Sequence, residues 1–158
     1  MVAFLGIMSL AALLVCLAAA AYFDLHTWRI PNRLLAAGAL LRCCLLAALF
    51  AFGGMDRGVL MDAAAGCILG GGLFLTARLC RKGALGAGDV KLSALIGLYT
   101  GPGKVLWAGL ISMLAAAAFV LAGGVGSSGG RLGFMKERLP LAPFFFFGTA
   151  VSLILPFA

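Results

Sequence analysis

Two carboxylates in this sequence are placed where they could act together. Asp24 closes the first apolar stretch and Asp89 opens the fourth, so a bundle of membrane helices would bring both to one face. Two carboxyl groups that lie close together share a proton, because they cannot both ionise easily. The ionised acid can draw a proton from water while its protonated partner polarises a carbonyl. This pairing predicts hydrolysis of a peptide bond without a covalent intermediate.

The glycines that precede Asp89 are expected to serve its geometry. Gly86 and Gly88 lack a Cβ, so they permit unusual dihedral angles and a close approach of backbone. We therefore expect them to let a substrate backbone come near Asp89. The positive end of the helix dipole also stabilises an ionised Asp89 at the start of its helix. Asp24 lies at a helix C-terminus, where the dipole does not stabilise a negative charge.

Each acid has an alternative interpretation that the residues alone leave open. Asp89 could be a helix N-cap, a position where aspartate is favoured. Asp24 could be an interfacial charge that pairs with Arg29. The remaining acids, which are expected to balance local charge, are Asp56, Asp62 and Glu137.

Composition places the whole chain in the membrane. Of 158 residues, 64% are hydrophobic and 11% are charged, against roughly 45–50% and about 25% in soluble domains. These values exclude a soluble enzyme and a nucleic-acid module despite the net charge of +7. We expect an all-α membrane helix bundle, a single peptidase domain over residues 1–158 with no soluble domain and about six transmembrane helices. The apolar stretches are Val2–Phe23, Leu34–Phe52, Leu60–Leu79, Val90–Thr100, Val105–Leu121 and Leu139–Phe157.

The fourth stretch is too short for an ordinary span. Val90–Thr100 lies between two glycine-containing segments, and a bilayer core takes roughly 20 helical residues. It is expected to be a short helix that starts below the membrane surface or has its ends protected by protein. Whether it crosses fully stays open.

Basic residues are distributed unevenly among the connections. Two of the connections carry only Arg57 and Lys104. Because cytoplasmic loops are enriched in Lys and Arg, we expect the acid pair on the cytoplasmic side and both termini outside. The other three connections carry Arg29, Arg33, Arg78, Arg81, Lys82, Lys91, Arg131, Lys136 and Arg138.

Metal and cofactor ligands are scarce. The chain has five cysteines without a CxxC pair and one histidine, whereas a structural zinc site takes about four N or S ligands. We expect no metal and no cofactor, with the cysteines acting as small apolar side chains.

Two short segments carry a resemblance to a known family. Residues 86–91 read Gly-Ala-Gly-Asp-Val-Lys and fit the pattern GxGDxK, and residues 24–32 join an aspartate to Ile-Pro-Asn. Together they resemble the prepilin peptidases, the bacterial membrane aspartic peptidases of the type IV pilin-processing family. The resemblance implies that Asp24 and Asp89 are the catalytic pair. Residues expected to shape the site or bind substrate are Gly86, Gly88, Lys91, Pro31 and Asn32.

The resemblance also implies a substrate and a location. The substrate would be a prepilin-like precursor with a short basic leader and an apolar helix, cleaved at the cytoplasmic face of the bacterial inner membrane. Lipids are the other expected partners, and no nucleic acid is expected. Larger members carry CxxC pairs associated with methylation of the new N-terminus. This sequence has none, so it resembles a short, peptidase-only form without expected N-methyltransferase activity.

Several roles stay open at this level. Lys91 could contact substrate or lipid phosphate, or simply anchor a helix end, and Pro31 could merely start a helix. Rival functions are a presenilin-like protease that cuts within the membrane, a small transporter or proton-relay subunit, and a structural membrane subunit. The last of these leaves the two acids unexplained.

Overall fold

All the elements that the structure describes are α-helices. It is a computed structural model that describes residues 2–52, 57–80, 86–126 and 140–155. The helices are α1 (Val2–Thr27), α2 (Asn32–Ala51), α3 (Arg57–Cys80), α4 (Ala87–Gly126) and α5 (Ala142–Ile154). Outside the described residues lie Asp56, Arg81, Lys82, Arg131, Lys136, Glu137 and Arg138.

The outer surface of the bundle is apolar, as the composition predicts. Helices α1 to α4 are each long and apolar enough to cross a membrane, and α5 is a shorter apolar helix. Large side chains stand exposed along the helices, for example Ile7, Val15, Phe50, Ile68 and Leu121. Such a continuous apolar exterior is typical of a surface that faces lipid. The expected all-α membrane bundle is confirmed, and the number of crossings stays a prediction.

Helix α4 is broken at Gly101. This residue has φ 81° and ψ 178°, and Pro102 follows it inside the helix. That region of backbone conformation is essentially restricted to glycine. We call residues 87–100 the N-terminal limb of α4 and residues 102–126 the C-terminal limb. The N-terminal limb is the predicted short fourth helix.

The two limbs fold back on each other against α3. A Cβ built on Gly70 would lie 2.6 Å from the Ser93 carbonyl oxygen and 2.9 Å from Val105 Cγ2, so residues on both sides of the break meet it. Further along α3, Phe74 contacts Gly109 in the C-terminal limb. The N-terminal limb therefore runs antiparallel to α3 and the C-terminal limb parallel to it. Stretches four and five form a helical hairpin.

A buried arginine binds the backbone at the end of the N-terminal limb. Pro102 has no N–H, so the Leu98 carbonyl lacks the donor that a continuous helix would supply. Arg42 Nε donates to that carbonyl oxygen at 3.2 Å, and Arg42 Nη1 donates to Ser9 Oγ at 2.7 Å. The guanidinium also lies 5.2 Å from the centre of the Tyr99 ring. Arg42 thus joins α1, α2 and α4 inside the bundle.

The main core lies between α1, the N-terminal limb of α4 and α5. Leu17, Leu92, Ile96 and Phe145 are buried in it, and the Phe145 ring packs 5.1 Å from that of Phe74 in α3. This packing holds the C-terminal end of α1, the start of α4 and the start of α5 at one end of the bundle. Both acids of interest lie at that end.

The break at Gly101 generates a stability prediction. Gly101→Ala forces a side chain into a conformation that favours glycine, which should lower the free energy of unfolding by about 1–3 kcal/mol. Gly103→Ala is the matched control, because a Cβ there meets no atom within 4 Å. Unfolding in mixed micelles of detergent and denaturing surfactant measures both variants. Equal stability of the two would contradict the hairpin.

Candidate active site

Asp24 is held by the first residue of α5. Its carboxyl lies in the last turns of α1 with 7% of the residue exposed. Oδ2 accepts a hydrogen bond from the backbone N–H of Ala142 at 3.0 Å. The first N–H groups of a helix have no partner inside it and carry positive partial charge. The expectation from the sequence is that no helix N-terminus stabilises the charge of Asp24. That expectation is wrong, because the N-terminus of α5 does so.

The alternative partner of Asp24 is not used. Among the described residues, Arg29 forms no ion pair with this carboxyl, and the donor that binds it is the Ala142 N–H. The polypeptide leaves α1 through Trp28, which has φ 53° and donates its N–H to the Asp24 carbonyl oxygen at 3.0 Å. Glycine usually takes this helix-ending position. An exposed tryptophan there gives no sequence signal, so the sharp turn beneath Asp24 was missed.

Asp89 is the third residue of α4 and not its N-cap. Helix α4 begins at Ala87, and Asp89 Oδ2 accepts a hydrogen bond from the preceding Gly86 N–H at 3.0 Å. An acid at this position that reaches back to the N-cap N–H is half of a capping box. A Cβ on Gly86 would lie 3.0 Å from Asp89 Oδ2. Glycine therefore gives the carboxylate room to fold back.

The two acids share one environment. Asp89 is 9% exposed, and its carboxyl interacts electrostatically with that of Asp24. Each acid accepts a hydrogen bond at Oδ2 from a different backbone N–H, that of Gly86 for Asp89 and that of Ala142 for Asp24. Among the described residues no donor binds either Oδ1 atom, which leaves both Oδ1 atoms for water or a substrate. The arrangement provides two carboxylates that can hold one proton between them.

Gly88 is needed for packing inside the protein. A Cβ on Gly88 would lie 3.3 Å from Ile30 Cβ and 3.4 Å from Ile30 Cδ1. In the described chain, the residues with positive φ are Trp28 and Gly101, so the glycines before Asp89 use no special dihedral angle. Ile30 occupies the space beside Gly88, and the expectation that these glycines let a substrate backbone approach Asp89 stays a prediction. Gly88 lets the two motifs contact each other.

Lys91 and Asn32 form a second contact between the motifs. Lys91 Nζ donates to Asn32 Oδ1 at 2.9 Å on an exposed surface. Asn32 is the first residue of α2, and Pro31 is its N-cap, with ψ 126°. Pro31 therefore starts the helix, as one of its two interpretations predicts, and it also lies in the segment that separates Asp24 from α2. The lysine links the start of α4 to the start of α2.

A surface cleft begins at this contact. It has a volume of about 430 Å³ and lies between α2 and the N-terminal limb of α4. Asn32 and Lys91 line one end, and small and aliphatic side chains such as Leu35, Ala39 and Leu95 line the rest. The cleft is an apolar groove with Asn32 and Lys91 at one end, and neither Asp24 nor Asp89 lines it.

The described residues contain no group of three or more His, Cys, Asp and Glu side chains that could hold a metal ion. All five cysteines are free thiols.

Comparison with known proteins places these motifs in a family. No curated protein and no solved structure shows significant similarity to the chain. A family model described as the type IV leader peptidase family matches residues 11–121, which include Asp24 and Asp89 but not Ala142. The match covers well over half of the sequence, from Ala11 within α1 through α2 and α3 to Leu121 in α4. The chain therefore belongs to the type IV leader peptidase family, which is a family of peptidases.

Proposed function

We propose that this protein is an aspartic endopeptidase that removes the basic leader from prepilin-like precursors. The observation that carries the proposal is the pairing of Asp24 and Asp89, two buried acids from separate motifs whose carboxyls interact at one end of the bundle. The family match supports peptidase chemistry. The aspartic mechanism and the prepilin substrate are the proposed part.

The proposed mechanism uses the Oδ1 atoms of the two acids, which no described residue binds. A water molecule between the Oδ1 atoms of Asp24 and Asp89 gives a proton to the ionised carboxylate and attacks the scissile carbonyl carbon. The protonated partner donates its proton to the carbonyl oxygen. The tetrahedral diol then collapses: the protonated carboxyl gives its proton to the leaving nitrogen, and the other carboxylate takes the proton of one diol hydroxyl. The C–N bond breaks, and the pair again holds one proton. Each acid accepts one backbone N–H, so hydrogen bonding does not assign acid and base.

The substrate's apolar helix would lie in the cleft between α2 and α4. That cleft begins at Asn32 and Lys91, in the same two segments that carry Asp24 and Asp89, so the leader of a helix seated there would turn round the start of α4 to reach the carboxylates. A helix that lays an apolar face in an apolar groove is a common mode of recognition. A basic leader gains nothing from the basic loops nearby. Docking therefore depends on the apolar helix and not on net charge.

The distribution of charge supports a cytoplasmic site in the bacterial inner membrane. Arg29, Arg33, Arg78 and Lys91 all lie at helix ends that belong to the same end of the bundle as the two acids. Cytoplasmic loops carry such an excess of basic residues. We propose that cleavage occurs on this side and that both termini lie outside. Both acids lie within a few residues of helix ends. This position supports cleavage at the edge of the membrane, whereas a presenilin-like protease would cut within the membrane.

Removal of either carboxylate should abolish cleavage. Asp24→Asn and Asp89→Asn each leave one acid, which cannot perform both proton transfers, so kcat should fall by about 10²–10⁴. Asp56→Asn, the same change at an acid predicted to lie in the opposite connection, is the control. The measurement is cleavage of a purified pilin precursor in detergent. Substantial activity in either site variant would refute the aspartic mechanism.

The contact between the motifs should also matter for activity. Gly88→Val drives a branched side chain into Ile30 and should lower kcat/KM strongly. Ile30→Ala in the same chain makes room and should restore part of the activity. Ala87→Val adds the same side chain at an exposed neighbour and should have little effect. If Ile30→Ala gives no recovery, packing against Ile30 is not the reason for this glycine.

Sidedness can be measured by cysteine labelling after replacement of the native cysteines. Arg33→Cys, exposed at the site end, should react with an impermeant reagent only from the cytoplasm. Gly103→Cys, exposed beside the break in α4, should react only from outside. The reverse pattern would place the site on the wrong face.

A further inference from the structure

A second cavity lies beside the break in α4, away from the two acids. Its volume is about 400 Å³, and it is lined by residues of α2, α3 and both limbs of α4. Three of the lining residues are charged, namely Arg42, Asp62 and Lys104. The proposed hydrolysis uses none of them. Their arrangement therefore needs a separate explanation.

The positively charged guanidinium group of Arg42 belongs to a residue that lines this cavity. The residue is 8% exposed, and only its Nε and Nη1 donate hydrogen bonds within the described chain. Among the described residues it makes no ion pair with a carboxylate, and its guanidinium lies over the Tyr99 ring. A buried guanidinium without a counter-charge is costly. The remaining donors of Nη2 can satisfy an anionic group in the cavity.

Lys104 adds positive charge on the same side, where it lines the cavity together with Gly103. The N-terminal limb of α4 ends at this cavity and the C-terminal limb begins there, so their two dipole ends oppose each other and the side-chain charges decide the potential. A phosphate group suits this combination, because arginine and lysine both bind phosphate oxygens through charge-assisted hydrogen bonds.

Asp62 restricts the choice of ligand. Its carboxylate lines the same cavity and would repel a ligand that carries only negative charge. It would attract an ammonium group attached to the phosphate. The neighbouring Leu60 and Met61 are 51% and 71% exposed on the lipid-facing surface, where acyl chains could lie.

We propose that this cavity binds the headgroup of a zwitterionic aminophospholipid. The phosphate contacts Arg42 and Lys104, and the ammonium group contacts Asp62. The lipid would fill the gap beside the break and neutralise the buried guanidinium. The site lies at the opposite end of the bundle from Asp24 and Asp89, so this inference does not depend on the proposed peptidase activity.

Native mass spectrometry of the full chain tests the proposal with phosphatidylethanolamine and phosphatidylglycerol at equal concentration. The wild type should retain phosphatidylethanolamine preferentially. Lys104→Gln should weaken that binding about tenfold, the size expected for one charge-assisted hydrogen bond. Asp62→Asn should remove the preference for the amine headgroup. Arg57→Gln removes a nearby exposed charge outside the cavity lining and should bind as the wild type does.

Three results would overturn the proposal. They are equal retention of the two lipids by the wild type, equal loss of binding in Lys104→Gln and Arg57→Gln, and stabilisation by inorganic phosphate without retention of either lipid. Lys104 and Asp62 are chosen because neither holds the break in α4 together, whereas replacement of Arg42 would also remove its bond to Leu98. The variants' helicity by circular dichroism checks that both fold.

Discussion

The need to keep two carboxylates at the edge of a membrane governs the structure around them. Acids at this depth are costly unless polar groups of the protein meet them. Here the first backbone N–H groups of two helices do so, with Gly86 serving Asp89 and Ala142 serving Asp24. Neither bond uses a side-chain cation. Helix α5 must therefore begin where α1 ends, and α4 must begin beside both.

The interior of the bundle is arranged to make that convergence possible. The break at Gly101 turns one long apolar segment into a hairpin that packs against α3, with Gly70 allowing both limbs to approach. Arg42 then donates a hydrogen bond to the Leu98 carbonyl oxygen, which has no backbone donor because Pro102 lacks an N–H. This places the N-terminal limb, and hence Asp89, at the end of the bundle where α1 closes. The glycine-rich helix contacts resemble the close packing that small residues allow in membranes.

Much of this could be predicted because its signals are local. Apolar stretches specify membrane helices, and glycines on both sides of Val90–Thr100 indicate a short helix. The order of the two motifs brings Asp24 and Asp89 to one end. The bonds that hold the acids could not be predicted in the same way. Ala142 donates through its backbone from 118 residues away, and Trp28 adopts a conformation that its residue type does not suggest.

The glycines illustrate the difference most clearly. That both glycines shape a substrate site stays a prediction, whereas the structure shows what each of them contacts inside the protein. Gly86 makes room for a carboxylate that folds back, and Gly88 makes room for Ile30. A motif can therefore identify residues that matter while the tertiary contacts decide what they do.

The central claim is that Asp24 and Asp89 act as one catalytic unit. The most direct test is a double-mutant cycle on kcat for precursor cleavage with Asp24→Asn, Asp89→Asn and the double variant. Groups that act as a unit are strongly non-additive, so the double variant should be no less active than either single variant. If the two losses multiply, the carboxylates act independently, and the shared-proton mechanism is wrong.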